Sequence, residues 1–198
     1  MGEPEPSQKR KPLALSCGTS DCENGLHCFR QTRRRATRFA RGACQSCGAE
    51  LIEWDRVHQR RLDDVELTFR ALRSEWVRHH FWEEPFDERA LKHARRLGRP
   101  RLLENAARRV RSSVGPETPF RDGAQTPFDG NAIYYAQHAV AACCRKCVEY
   151  WHGIPRGRPL EADELEYLIA LVSTYLVQRL PDLAELGEKV TPSRSIGA

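Results

Sequence analysis

No stretch of this 198-residue chain is apolar for long enough to cross a bilayer. The longest apolar run, LIALVSTYLV from Leu168 to Val177, is too short and carries Ser and Thr. The N-terminal MGEPEPSQKRKP holds no apolar run, so no secretory leader is expected and a reducing, cytoplasmic setting is. No membrane partner is expected. Internal repeats are missing, which excludes a stacked array. Acidic residues are missing between Arg30 and Arg41, a segment that carries Arg30, Arg33, Arg34, Arg35, Arg38 and Arg41. A second basic segment, Glu88 to Arg111, holds nine Lys or Arg against two Glu. On a chain of net charge +5, two such segments suggest a polyanion, most simply nucleic acid contacted by Arg33, Arg34, Arg35 and Arg38. The plainer alternative is a set of solvated helix faces.

What the chain does have is cysteine. Its eight cysteines fall in two tight clusters rather than spreading as a disulfide framework does. The first cluster is Cys17, Cys22, Cys28, Cys44 and Cys47. Within it, CQSCG places two thiols across a two-residue gap, so that a tight turn can aim both at one tetrahedral ion, and the following Gly permits the turn's positive φ. The spacing favours Cys17, Cys22, Cys44 and Cys47 as zinc ligands, with Cys28 or His27 as a substitute or supporting group. A closed site of this kind is structural, and the metal would supply most of the stability of so small a module.

The second cluster lies in QHAVAACCRKCVEYWHGIP, Gln137 to Pro155. As one helix it would hold His138 and His152 about 21 Å apart, too far to share an ion. Cys143 and Cys147, or Cys144 and Cys147, share a helical face. One helix therefore supplies two or three ligands, and the rest must come from His138, His152, Asp122 or Gln125. Three readings stay open: buried thiols in a core helix, a second metal site of unknown metal, or a catalytic site. In the catalytic reading Asp122, Gln125, His138 and His152 serve a metal-bound water or a thiolate.

Hydrophobic periodicity outside the first cluster is helical. Leu62, Val65, Phe69, Leu72 and Trp76 form one stripe. Asp87 opens a second helix that Gly98 stops, and Pro100 opens a third ending before Gly115. A loop with three prolines and three glycines follows, then a fourth helix from Ala132 to His152 and a fifth from Asp163 to about Leu180. The expected fold is mainly α, a five-helix domain preceded by a small zinc-ribbon-like β module. The expected divisions are a disordered lead (1–14), the zinc module (15–58), the helical domain (59–182) and a flexible tail (183–198).

From Asp122 to Ile169 the sequence resembles a bacterial family, domain-of-unknown-function family 4186, with its DGxQTP, QHAxAxCCRxC and WHGIP motifs. They stand here as Asp122, Gly123, Gln125, Thr126 and Pro127; Gln137, His138, Ala139, Cys143, Cys144, Arg145 and Cys147; and Trp151 to Pro155. Val140 departs from the threonine usual there, which weakens any role for a hydroxyl. The likeness covers about Thr68 to Leu180 and leaves the first cysteine cluster outside. It implies that the polar residues of the loop and helix work as one unit, and it brings no known activity. The leading expectation is a zinc-binding, nucleic-acid-associated protein. The alternatives are a hydrolase-type enzyme using the second cluster and an adaptor for a protein partner.

Overall fold

The computed structural model describes residues 16–30 and 39–188. The expected lead and the arginines Arg33, Arg34, Arg35 and Arg38 lie outside the described residues, as does the end of the expected tail. Among the described residues a 3₁₀ turn (Cys22–Asn24) is followed by α1 (Trp54–His58), α2 (Val65–Arg73), α3 (Trp76–Glu83), α4 (Glu88–Leu97), α5 (Arg99–Ser113), α6 (Ala132–Ala139), α7 (Arg145–His152) and α8 (Ala162–Arg179). The mainly helical class holds. The β module does not: among the described residues there is no strand, only the isolated bridges Asp21–Leu26 and His27–Glu75. Each short segment has one pairing, and that of His27 goes to the helical part, so no hairpin forms. Its amide donates to the Ser74 carbonyl (2.8 Å), and its carbonyl accepts from the Trp76 amide (2.9 Å).

Among the described residues eight helices stand in place of the expected five, because two predicted helices break and α1 is added. The first break falls at Ser74–Glu75, where the Ser74 hydroxyl donates to the Ala71 carbonyl (2.6 Å) and Glu75 turns extended to meet His27. The second falls at Val140–Cys144, inside what periodicity presents as one helix from Ala132 to His152. Ala141 takes a left-handed φ of 56° there, and Cys144 is fully extended. Such a break frees buried carbonyls, and each needs a donor. Arg78 donates to the His138 carbonyl (2.6 Å), Gln137 to that of Ala142 (3.0 Å), and Thr126 to that of Cys143 (2.8 Å). The His152 ring meets the Val140 carbonyl at 2.9 Å. These donors are scattered over the chain, so local periodicity does not reveal the break.

Elsewhere the local signals operate as expected. Asp87 caps α4, accepting from the Ala90 amide (2.9 Å), and Gly98 ends it at φ 73°. The fifth predicted helix begins at Ala162 rather than Asp163, because Glu161 and Glu164 form a capping box there. Nearly all of α6 is buried, and it contacts α3, α4, α5 and α8. Through Tyr167, Leu168, Leu171, Val172, Tyr175 and Leu176, α8 closes the core. The cysteine-rich segment is continuous with this core. Phe29 and Trp54 pack their rings against Trp151 of α7, at 6.1 and 5.2 Å between centroids. Residues 183–188 lie against the α4–α5 junction, where Arg99 donates to the Ala184 carbonyl and Glu188 to that of Arg95 (both 2.9 Å).

Candidate functional site

Two groups of side chains are placed so that each can hold a metal ion. In the first, donor atoms of Cys22, His27, Cys44 and Cys47 lie within 4.8 Å of one another. The Cys22 and Cys44 sulfurs are 3.7 Å apart, and the Cys47 sulfur is 3.5 Å from His27 Nδ1. Local turns build this arrangement. Asp21 and Leu26 exchange backbone hydrogen bonds of 2.7 and 3.0 Å, closing a loop around Cys22 with Gly25 left-handed at φ 73°. The CQSCG turn closes with the Gly48 amide donating to the Cys44 carbonyl (2.8 Å) at φ 82°. A Cβ at Gly48 would stand 2.7 Å from the Phe39 ring, so shape and conformation both require glycine there.

Charge in this group favours a cation. Burial pushes the Cys44 thiol up, yet backbone amides of Cys28, Cys47 and Ser46 donate to it and hold it down at about 6. Cys22 is pushed up to about 12 by burial and by the neighbouring Cys47 and Cys44 thiols. One thiolate thus forms readily and the next is opposed, an opposition that a divalent cation removes.

The structure divides the first cluster differently from the spacing argument. His27 takes the position given to Cys17, because its backbone is fixed between Ser74 and Trp76. Cys28 joins neither group: it is fully buried, donates to the Cys17 carbonyl (3.0 Å) and accepts from Gln45 (2.6 Å). Cys17 stands outside both groups, with its thiol on the side of Cys147 and Arg78.

The second group is Cys143, Cys144 and Cys147, all buried. The break before α7 gathers them: Cys144 is the N-cap residue, and Cys147 sits one turn into the helix. Buried Arg78 donates to Cys147 (3.1 Å) and Cys143 (3.8 Å), to the His138 carbonyl, and to Glu75 (3.1 Å). Glu75 also accepts from the Trp151 indole (2.8 Å), and burial holds its carboxyl above the usual range despite Arg78. The sequence reading missed Arg78. The available signal was WVRHHFW, in which Arg78 shares a helical face with Phe81 and Trp82 at steps of three and four.

The other candidates are brought near but not together. His138 stacks between Phe81 (4.7 Å) and Phe128 (4.6 Å), its Nε2 3.2 Å from the Thr126 and Pro127 carbonyls. His152 is fully buried, with Nε2 at the Val140 carbonyl and Nδ1 3.3 Å from the Tyr167 hydroxyl. Burial lowers both rings to about 3, so both are neutral and neither joins the thiols. Asp122 accepts from the Arg145 amide (2.9 Å) at the start of α7. Gln125 accepts from the Gly123 amide (2.7 Å) and donates to the Ser113 carbonyl (3.2 Å). Arg145, buried, donates to the carbonyls of Val114, Pro155 and Arg158. The signature's polar residues thus hold α5, the loop and α7 in register.

Between α1 and α7 lies a cleft of about 750 Å³. Trp54, His58 and Tyr150 form its walls, and Arg30, Arg41, Lys146 and Arg156 stand at its rim with Asp55 and Glu149. Arg156 pairs with Glu149 at 2.8 Å, whereas Arg30, Arg41 and Lys146 have no ion-pair partner among the described residues.

No solved structure matches this chain. The family described as Domain of unknown function (DUF4186) matches residues 66–177, from the start of α2 into the last turn of α8 and through the whole thiol-bearing break, and the chain belongs to that family.

Proposed function

We propose that this chain is a zinc protein that binds single-stranded nucleic acid through the cleft between α1 and α7. Three thiolates and one imidazole suit Zn²⁺, and a site closed by four protein ligands is a folding element. The zinc would hold the Cys22 and Cys44–Gly48 loops against the α2–α3 junction and so set one side of the cleft. The observation that carries the reading is the cleft's lining: Arg30, Arg41 and Lys146, without an ion-pair partner among the described residues, at the rim and aromatic rings on the walls. Phosphates are attracted by the first and bases stack on the second, the combination that single-stranded sites use. Arg33, Arg34, Arg35 and Arg38, outside the described residues, come within eight residues after Arg30 in sequence and would add phosphate contacts.

Fluorescence anisotropy with labelled oligonucleotides over a range of salt tests this. The parent should prefer single strands to a duplex of the same length. Arg41→Ala with Lys146→Ala should flatten log K against log salt by about 1.4, near 0.7 per lost phosphate contact. An unchanged slope, or no binding at low salt, rejects the cleft as a nucleic-acid site.

A further inference from the structure

We propose that Cys17, Cys143, Cys144 and Cys147 form a second zinc site, an all-thiolate one, that fastens the N-terminal segment to the helical part of the chain. The three cysteines of the α6–α7 break already hold their sulfurs within 4.8 Å of one another. A tetrahedral ion needs one more ligand, and the Cys17 thiol, which stands outside this 4.8 Å group, lies on the side of Cys147 and Arg78, from where a bound ion would draw it in. The backbone at Cys17 is held in place, because the buried Cys28 thiol donates to its carbonyl at 3.0 Å. Cys17 is not needed elsewhere, since Cys22, His27, Cys44 and Cys47 complete the first group.

The surroundings suit an anionic site. Cys144 caps α7 and Cys147 lies in its first turn, where the helix amides and dipole favour negative charge. Four thiolates around Zn²⁺ carry a surplus of two negative charges, and Arg78 lies beside them as a buried cation donating to two of the sulfurs. Loading releases the protons of those thiols still protonated to solvent as four Zn–S bonds form and zinc-bound waters leave, with no change of oxidation state. No imidazole stands within the 4.8 Å group: His138 Nε2 faces two carbonyls while its Nδ1 is buried without a partner, and both His152 nitrogens have partners. The result is a closed, sulfur-only site, which is structural in character. Seven of the eight cysteines then bind metal, and Cys28 alone does not. The site stands whether or not the cleft binds nucleic acid.

Native mass spectrometry of the full, reduced chain counts the zinc ions. We expect two per chain in the parent and in Cys28→Ser, and one after chelator challenge in Cys17→Ser. Cys47→Ser should also lose one, from the first group, so the two losses can be told apart by alkylating the freed thiols and mapping them. Should Cys17→Ser fail to fold, Cys17→His can still complete a tetrahedron. It should keep two metals, with a weaker sulfur-to-cobalt charge-transfer band when loaded with Co²⁺. The proposal is overturned if Cys17→Ser keeps both ions with undiminished chelator resistance. It is likewise overturned if Cys17→His leaves the cobalt spectrum unshifted, or if the metal-saturated parent contains a Cys144–Cys147 disulfide or holds one zinc while Cys143, Cys144 and Cys147 alkylate freely.

Discussion

His152 is a residue whose sequence position invites a catalytic role and whose surroundings give it a packing role. Its two nitrogens are satisfied by a carbonyl and a phenol, and desolvation lowers it from 6.5 to about 3. His138, between its two phenylalanine rings, is lowered to about 3 as well, although its Nδ1 is buried without a partner. A depressed histidine has a definite linkage sign. Above pH 6.5 both states are neutral and the ring contributes no pH dependence. As pH falls from 6.5 toward 3, the unfolded chain takes up a proton that the folded one refuses, and stability drops by up to about 1.4 kcal/mol per pH unit for each ring. Denaturant titrations between pH 4 and 7 should show this decline. His152→Gln should be less stable at pH 7 but decline less steeply, by about one proton's worth of slope. Parallel curves for parent and variant would mean that His152 is protonated in the folded state.

At the scale of elements, the informative object is the gap between α6 and α7. Gln137 holds it: fully buried, its amide group donates to the Ala142 carbonyl (3.0 Å) and to Ser113 Oγ (2.9 Å). Gln137→Leu keeps the volume and removes both donors, leaving a buried carbonyl unsatisfied. A cost of about 1–3 kcal/mol is expected in chemical denaturation. A loss of metal from the second thiol group is expected with it, because the break sets the sulfur positions. An unchanged metal content would show that the thiols hold the turn without Gln137. The same gap marks where sequence reading succeeded and failed. The cap at Asp87 and the apolar faces of α4, α5 and α8 follow from neighbours three and four residues away, and they were legible; the capping box at Glu161 was not read. The breaks at Ser74–Glu75 and Val140–Cys144 depend on His27, Arg78 and Thr126, which are distant in sequence. The CxxC spacing showed that Cys44 and Cys47 act together. It could not show that His27 is carried to them by a bridge to Glu75, or that Cys17 stands apart from them.

For the whole molecule, the cysteine-rich segment and the family domain share one core. Phe29 and Trp54 cover Trp151, Val57 is buried with them, and His58 lies across Gly153, where an added Cβ would fall 2.9 Å from its ring. A fragment beginning near residue 59 would keep every helix from α2 onward and lose that cover, leaving the indole of Trp151 and the ring of Tyr150 in water. Such a fragment is expected to be poorly soluble or self-associating, and sedimentation would reveal this. A monodisperse monomer at high concentration would mean that the face closes over by itself. Where a chain carries the family domain without such a segment, the bare aromatic face becomes an evolutionary vacancy. Some other sequence, fused or borrowed from a second protein, would then find a place to settle, with the outline of this N-terminal segment as its template.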